Sequence, residues 1–122
     1  MKIATQVAIR RATPNDVVQL TELVEQYRDF YRQERDDKTN QYLIDRISKN
    51  ESVIFVAEID GLLVGFTQCY PTFSTLSLSG IWLLNDLFVD PAYRGQHIAD
   101  QLMQSTEAAA QNSGATRIWL RT

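Results

Sequence analysis

The sequence predicts an α/β protein whose sheet contains both antiparallel and parallel strand pairs. Segments 53–58 and 62–70 are rich in β-branched and aromatic residues, and Asp60-Gly61 between them is typical of a hairpin turn. The apolar strand 81–89 is followed by a helical pattern and then by a strand-like segment, 116–121, as in a parallel β-α-β unit. With the segments before residue 53, the expected order is strand, two helices, three strands, helix, strand.

The N-terminal part of the chain is expected to form a short strand and a long helix. A strand is predicted around Val7 to Ala12, where apolar and basic residues alternate. Thr13 and Asp16 then suit a capping box and Pro14 suits the first helical position, so a helix should run from residue 14 to about 32. Its apolar face is predicted to consist of Val17, Leu20, Val24, Tyr27 and Tyr31.

A second helix is expected to begin with Thr39 as its cap and to end near Asn50. Pro71 should end the second hairpin strand, and the Ser/Thr-rich segment 72–80 should form a loop. Strand 81–89 is predicted to be central and covered on both faces.

The third helix is expected to run from about Gly95 to Gln111, and Asn112-Ser113-Gly114 suits its end. The face predicted to be buried consists of Ile98, Leu102, Thr106 and Ala109.

Composition narrows the class of protein. The 122 residues, 44% hydrophobic and 22% charged, suit a single globular domain, and the net charge of −3 argues against nucleic acid as the main partner. The lone Cys69 excludes an internal disulfide and leaves a structural zinc site without its usual ligands. No segment resembles a signal peptide or a membrane span, so we expect a cytoplasmic protein without a metal.

The segment from Leu83 to Leu102 carries the most informative motif. An apolar strand leads through a turn containing Arg94 and Gly95 into the third helix. Backbone N–H groups at a helix N-terminus bind phosphates, Gly95 permits a tight turn and a close approach, and Arg94 adds positive charge. This segment strongly resembles the acyl-CoA-binding motif of the GNAT family of N-acetyltransferases.

The resemblance implies a GNAT-like mixed sheet in the order β-α-α-β-β-β-α-β, and acetyl-CoA as the cofactor. The family motif has Arg or Gln, two variable residues, Gly, a variable residue, and Gly or Ala; here Arg94 and Ala99 match and His97 replaces the central Gly. A Cβ at His97 should be strained if its φ is positive, and we expect cofactor binding to survive. The implied cofactor-binding residues are Leu87, Phe88, Val89, Arg94, Gly95, Gln96, His97, Ile98 and Ala99.

The strand before the turn is similar to that of the diamine acetyltransferases, which have an acidic pair at the positions of Asn85 and Asp86. In the family this strand bulges and leaves backbone groups free for the pantetheine arm, and Asn85-Asp86 suits such a bulge. Asp86 is the implied catalytic residue, and a purely structural role at the bulge is the alternative. Tyr27 and Tyr31 are candidate substrate contacts, with packing beside Phe30 as the alternative.

Other chemistry-bearing side chains are expected to be structural. His97 lies beside the expected phosphates instead of the thioester, which argues against a catalytic role. Cys69 is predicted to be a buried apolar residue, and Trp82 and Trp119 to be packing residues.

The resemblance implies acetyl transfer to an amine of a small molecule or peptide, such as an antibiotic, a polyamine, an amino acid or a protein N-terminus. The chain stops at Thr122, before the helix that carries the family's usual Tyr acid and before two further strands. We therefore expect residues 1–122 to form one GNAT-like domain that is incomplete at its C-terminus. It is a fragment of a longer protein, a natural short form completed by a partner or a degenerate pseudoenzyme, and in each case we expect it to self-associate as a homodimer. A non-catalytic acyl-CoA-binding or interaction module is the alternative function.

Overall fold

Five strands lie in chain order across one sheet in the computed structural model, which describes residues 6–121. They are β1 (Ala8–Arg11), β2 (Val53–Ile59), β3 (Leu62–Ser74), β4 (Ser79–Val89) and β5 (Ile118–Leu120). Neighbouring strands from β1 to β4 are antiparallel, whereas β5 runs parallel to β4. The predicted mixed α/β architecture and element order are confirmed. The strand predicted at 81–89 corresponds to β4; it lies inside the sheet, between β3 and β5, although β3 is the middle strand.

Three α-helices cover the two faces of the sheet within residues 6–121: α1 (Val17–Phe30), α2 (Thr39–Ser48) and α3 (Ile98–Ser113). On one face, α1 and α2 bury a core that contains Leu20, Leu43, Val56, Phe66 and Phe88. On the other face, α3 packs Ile98 and Leu102 against Ala57, Val64 and Val89. Alternate residues of each strand therefore enter different cores, as the period of two along a strand requires.

The first helix is shorter than predicted. Residues Pro14–Asp16 form a 3-10 turn, and α1 ends at Phe30. The carboxylate of Asp16 accepts the backbone N–H of Thr13 at 2.7 Å, which confirms the reciprocal half of the predicted capping box. Leu23 is buried on α1, whereas Tyr31, which was expected on the buried face, is 59% exposed.

Two predictions about the middle of the chain are wrong. Thr39 is the first residue of α2 and not its cap, because its hydroxyl donates to the buried carboxylate of Glu25 at 2.8 Å. Pro71 does not end β3: it pairs with Trp82, and the strand continues to Ser74, so the expected loop shrinks to residues 75–78. The pairing of β2 with β3 stops at Cys69, so Pro71 lies on an edge, where a missing N–H is tolerated.

The predicted hairpin turn and the predicted end of the third helix are confirmed. Asp60 and Gly61 both have positive φ, 50° and 80°, as the predicted hairpin turn requires. Gly114, with a φ of 89°, ends α3 as expected. On α3 the buried residue is Ala110 and not Ala109, and the helix begins at Ile98, three residues later than predicted.

Candidate active site

A bulge interrupts β4 where two polar residues break its apolar sequence. Gln68 pairs with Asp86 and the next residue of β3, Cys69, pairs with Leu84, so Asn85 is the extra residue. On the other side, β5 pairs with β4 only from Trp82 to Leu84. The register shift confirms the predicted bulge. From Asn85 onward, β4 has no strand on the β5 side within residues 6–121, which leaves backbone groups available to a ligand.

The turn between β4 and α3 has an unusual backbone. Gly95 has a φ of 81°, and His97, the residue before the helix, has φ 60° and ψ 24° in the left-handed region. The N–H groups of Gly95, Gln96 and His97 make no hydrogen bond within the described residues. The first N–H groups of α3 also lack an acceptor one turn back, as in any helix. Consecutive free N–H groups at a helix N-terminus suit an anion such as a pyrophosphate.

Arg94 connects this turn to the end of β4. Its Nε donates to the carbonyl of Val89 at 3.2 Å, and its guanidinium carbon lies 5.7 Å from the centroid of the Phe88 ring. The Arg94 side chain is therefore anchored to the Val89 backbone and the Phe88 ring, while its outer nitrogens remain available for a phosphate. This geometry agrees with the positive charge expected from Arg94 at a phosphate site.

A cavity of about 480 Å³ lies between the end of β4 and the start of α3. Of the nine residues predicted to bind a cofactor, eight line it: Leu87, Phe88, Val89, Arg94, Gly95, His97, Ile98 and Ala99. Gln96 is exposed and does not line the cavity. Tyr93 and Asp100 line it without having been predicted. The free backbone groups, the guanidinium and the apolar strand end together fit the phosphate and pantetheine parts of CoA.

Tyr27 lies where this cavity adjoins a second one. Its ring makes edge contacts with Phe66 and Phe88, and its hydroxyl donates to the carbonyl of Asn85 at 3.4 Å, at the bulge. Burial and then the negative charge of Asp86 raise the pKa of Tyr27, so its hydroxyl stays protonated. Tyr31 also lines the first cavity but is largely exposed, so packing into the core does not explain its position.

The second cavity, of about 340 Å³, surrounds Asp86 on the α1–α2 side of the sheet. Asp86 is 9% exposed and accepts hydrogen bonds from Gln68 Nε2 at 2.9 Å and Asn85 Nδ2 at 3.0 Å. The hydroxyls of Tyr42 and Tyr70 lie 2.7 Å apart in the same cavity. Gln68, Tyr42 and Tyr70 were not predicted; the polar Gln68 within an otherwise buried strand was the available signal.

Glu25 organises the segment between α1 and α2, part of which lines the second cavity. Its buried carboxylate accepts the Thr39 hydroxyl at 2.8 Å, the Asp36 N–H at 2.9 Å and an Arg28 N–H at 3.0 Å. Burial alone would raise the pKa of Glu25, but these hydrogen bonds outweigh it and lower the pKa. Asp36 and Thr39 line the second cavity, so Glu25 positions part of its wall.

The other singled-out residues lie apart from this chemistry. His97 is exposed, and its Nδ1 lies 3.5 Å from Asp100; it lines the first cavity and not the one around Asp86. Cys69 is fully buried, and burial raises the pKa of its thiol to about 12, which leaves it unreactive. Trp82 is buried, whereas Trp119 is half exposed, so the packing role expected for Trp119 is met only in part.

Two further features bear on metals and membranes. Within residues 6–121, no three His, Cys, Asp or Glu side chains come together as a metal site would need. The helices of the same part of the chain are too short or too polar to cross a membrane.

Comparisons with known proteins give a consistent result. Residues 20–122 match the model of the acetyltransferase (GNAT) family. An uncharacterized N-acetyltransferase, YhfO, of Bacillus subtilis strain 168 is 41% identical over 115 residues, which cover 93% of this chain and 77% of the relative. An uncharacterized N-acetyltransferase of Archaeoglobus fulgidus is 32% identical over 120 residues, with coverage of 92% and 80%.

Solved structures share the fold. The crystal structure of a probable acetyltransferase superposes with a TM-score of 0.89 at 36% identity, covering 94% of this chain and 78% of the other. An aminoglycoside N-acetyltransferase in complex with CoA has a TM-score of 0.83 at 19% identity, which reflects the fold alone. The family match, the two relatives and the fold agree with the bulged strand and the helix N-terminus described above. The chain therefore belongs to the GNAT family of acetyltransferases.

Proposed function

We propose that this protein transfers the acetyl group of acetyl-CoA to an amine of a small molecule or peptide. The observation that carries the proposal is the convergence of the β4 end, the Arg94-Gly95 turn and the α3 N-terminus around one cavity of about 480 Å³. Relatives named as N-acetyltransferases and a neighbour of the same fold in complex with CoA support the same chemistry. Bound acetyl-CoA supplies a thioester that an amine can attack.

Both backbone and side-chain groups bind the cofactor. The free N–H groups from Gly95 to the first turn of α3 and the outer nitrogens of Arg94 bind the pyrophosphate. Beyond Leu84, the open edge of β4 hydrogen-bonds to the amides of the pantetheine arm, as a further strand would. The side chains of Leu87, Phe88 and Val89 form an apolar boundary along this arm, and Ile98 and Ala99 close it from the helix side.

The acceptor amine enters through the second cavity. The carboxylate of Asp86 attracts and orients a protonated amine there, because opposite charges in a partly desolvated site interact strongly. The amine passes its extra proton to water before the neutral nitrogen acts as a nucleophile. Tyr27 lies between the two cavities, and its protonated hydroxyl donates a hydrogen bond at their junction. Tyr31 contacts substrate at the outer rim of the first cavity.

The finer features of the proposal concern assembly and location. We propose a single domain that acts in the cytoplasm as a homodimer. Trp119 and Leu120 on β5 are 49% and 63% exposed, and a partner that covers them would remove this apolar surface from water. Sedimentation at graded protein concentrations tests the dimer, and a monomer at every concentration would contradict it.

Isothermal titration of the purified chain with acetyl-CoA, CoA and ATP tests cofactor binding. We expect acetyl-CoA and CoA to bind and ATP to bind much more weakly, since ATP has no pantetheine arm for β4. Release of the CoA thiol in the presence of a panel of amines then tests transfer. Absence of CoA binding would contradict the proposal, and binding without turnover on any amine would favour the non-catalytic acyl-CoA-binding alternative.

A further inference from the structure

We infer that the hairpin between β3 and β4 docks this protein on an anionic lipid surface, with the side chains of Phe73, Leu76 and Leu78 inserted among the lipids. These three residues are called the apolar tip. Docking of this kind goes beyond acetyl transfer and is independent of it, because the apolar tip contributes no residue to the first or the second cavity.

The β3–β4 hairpin projects beyond the rest of the sheet. The pairing of β2 with β3 stops at Cys69, whereas β3 continues to Ser74. At about 3.4 Å per residue, this extension adds roughly 17 Å of strand. On the other side of the hairpin, β5 pairs with β4 only from Trp82 onward. The end of the hairpin, residues 73–79, therefore has no neighbouring strand within residues 6–121.

The apolar tip lies almost entirely in water. Phe73, Leu76 and Leu78 are 86%, 99% and 86% exposed. No charged residue occurs between Asp60 and Asp86, so the whole hairpin is uncharged. Leu78 has a φ of 51°, a left-handed conformation that is costly for a bulky side chain. The chain thus holds a large apolar residue at a turn position that disfavours it, and its transfer into an apolar phase is favourable.

Basic side chains surround the base of the hairpin. Arg11 and Asn50 line a cavity of about 470 Å³ beside it, and Lys49 directly precedes Asn50. On the opposite side, the carbonyl of Arg117 accepts the N–H of Trp82 at 3.0 Å. Arg11, Lys49 and Arg117 are called the basic collar. All three are exposed, and none forms an ion pair within residues 6–121.

The acidic side chains of the neighbouring segment do not cancel the charge of the basic collar. Glu51 forms an ion pair with Arg46 at 3.0 Å. Asp45 lies earlier on α2, where its carboxylate accepts a hydrogen bond from Gln41 at 2.9 Å. Even with Asp45 counted, basic groups outnumber acidic groups at this end of the molecule. The net charge of the chain is −3, so the hairpin end is basic although the protein is acidic.

An anionic bilayer matches both the apolar tip and the basic collar. Apolar side chains enter the boundary between head groups and acyl chains, while basic side chains remain beside the lipid phosphates. A second copy of the chain could cover the apolar tip, but it would bring its own basic collar and place like charges face to face. Charge complementarity therefore favours the lipid surface over a second copy.

Docking at the hairpin leaves the cofactor cavity accessible. The strand β4 has 11 residues and runs from Ser79 at the hairpin to Val89, which lines the first cavity. A strand of this length spans roughly 35 Å. The first cavity therefore lies at the far end of β4 and stays open to water when the apolar tip is inserted.

Co-sedimentation with sucrose-loaded vesicles tests the docking. The probes are vesicles of phosphatidylcholine alone and vesicles in which one third of the lipid is phosphatidylserine. We expect the chain to bind the phosphatidylserine vesicles at low salt, to bind them less at high salt, and to bind phosphatidylcholine much more weakly. Absence of binding to the phosphatidylserine vesicles at low salt would overturn the inference.

Substitution of the apolar tip gives a second readout. The double variant Leu76→Ser/Leu78→Ser should bind the phosphatidylserine vesicles about tenfold more weakly or worse, because two apolar side chains are lost from the lipid. Leu62→Ser at the opposite end of β3, where the side chain is 48% exposed, is the matched control and should bind like the unsubstituted chain. Equal binding by the double variant and the unsubstituted chain would overturn the inference. A thermal scan checks that each variant is folded.

Substitution of the basic collar tests the electrostatic contribution. Arg117→Gln should weaken binding to the phosphatidylserine vesicles roughly fivefold and reduce its salt dependence, as expected for one basic side chain near an anionic surface. Arg32→Gln, at an exposed position just after α1, is the matched control and should leave binding unchanged. Unchanged binding in Arg117→Gln, Arg11→Gln and Lys49→Gln would overturn the choice of an anionic surface.

A fluorescent label on the tip distinguishes insertion into lipid from self-association. Cys69 is fully buried, so a polarity-sensitive thiol reagent should label the Leu76→Cys variant at the hairpin alone. We expect its emission to shift to the blue with phosphatidylserine vesicles, and the labelled Leu62→Cys variant to show no shift. An unshifted label, together with lipid-free self-association that Leu76→Ser/Leu78→Ser abolishes, would identify a second copy as the occupant and overturn the inference.

Discussion

Replacement of His97 by Gly tests the left-handed residue in the turn between β4 and α3. His97 has φ 60° and ψ 24°, a left-handed conformation that costs an L-residue about 1 kcal/mol. Its side chain is 84% exposed, and its Nδ1 lies 3.5 Å from the exposed carboxylate of Asp100, a contact that contributes little. His97→Gly removes the steric cost, and His97→Ala keeps it. The Gly variant should therefore exceed the Ala variant in unfolding free energy by about 1 kcal/mol.

Urea denaturation of the two variants and the unsubstituted chain measures this difference. For a chain of this size, about 1 kcal/mol corresponds to roughly 3–5 °C in Tm, which a thermal scan resolves. His97→Asn is a useful control, because Asn tolerates the left-handed region better than Ala, and it should fall between them. Equal stability of the Gly and Ala variants would refute the reasoning, since it would mean that the backbone does not hold a positive φ at this position.

The same variants separate backbone geometry from cofactor affinity. The N–H groups that suit a pyrophosphate belong to the backbone, and the His97 side chain is 84% exposed, so Gly should not weaken CoA binding. Titration calorimetry with CoA should give an affinity for His97→Gly at least equal to that of the unsubstituted chain. A marked loss of affinity would show that the imidazole itself contacts the cofactor.

Two further predictions concern buried carboxylates. Glu25→Gln should cost about 2 kcal/mol in unfolding free energy, because its hydrogen bonds lose their charge. It should also raise the KM for the amine by loosening Asp36 and Thr39, while CoA affinity is unchanged. Denaturation and steady-state kinetics check these effects, and an unchanged KM for the amine would count against the reasoning. The hydrogen bond from Arg10 lowers the pKa of Asp16 from 3.8 to about 2. This lowered pKa contributes about 2 kcal/mol of stability, which is present above about pH 4 and is lost as the pH falls toward 2. Asp16→Asn should therefore flatten the acid branch of the stability curve, and parallel curves for the two proteins would contradict the assignment.

Local chemistry explains the elements that were predicted well. Asp60-Gly61 requires positive φ at both residues, and that requirement depends on the dipeptide itself. Gly114 ends α3 for the same reason. The bulge at Asn85 was expected from the resemblance to the GNAT strand, and the polar pair Asn85-Asp86 in an otherwise apolar strand agrees with it.

Predictions that depended on neighbours in space were less successful. Pro71 is a strong local signal for the end of a strand, yet β3 continues because β2 has already ended beside it. Thr39 suits a helix cap, but the buried Glu25 from another helix takes its hydroxyl. Tyr31 follows the spacing of the buried face of α1, yet α1 ends at Phe30 and leaves this ring exposed.

The sequence by itself pointed to the first cavity, because most of the residues that line it come from one contiguous segment, 87–99, whose turn and helix start depend on local backbone geometry. Even there, only the tertiary structure decided that His97 adopts a positive φ. The second cavity was decided by the fold, since its residues come from α1, α2, the segment between them, β3 and β4, and they meet only through sheet register and helix packing. Gln68 faces Asp86 because the β3–β4 register sets them across from each other, and no spacing along the chain encodes that contact.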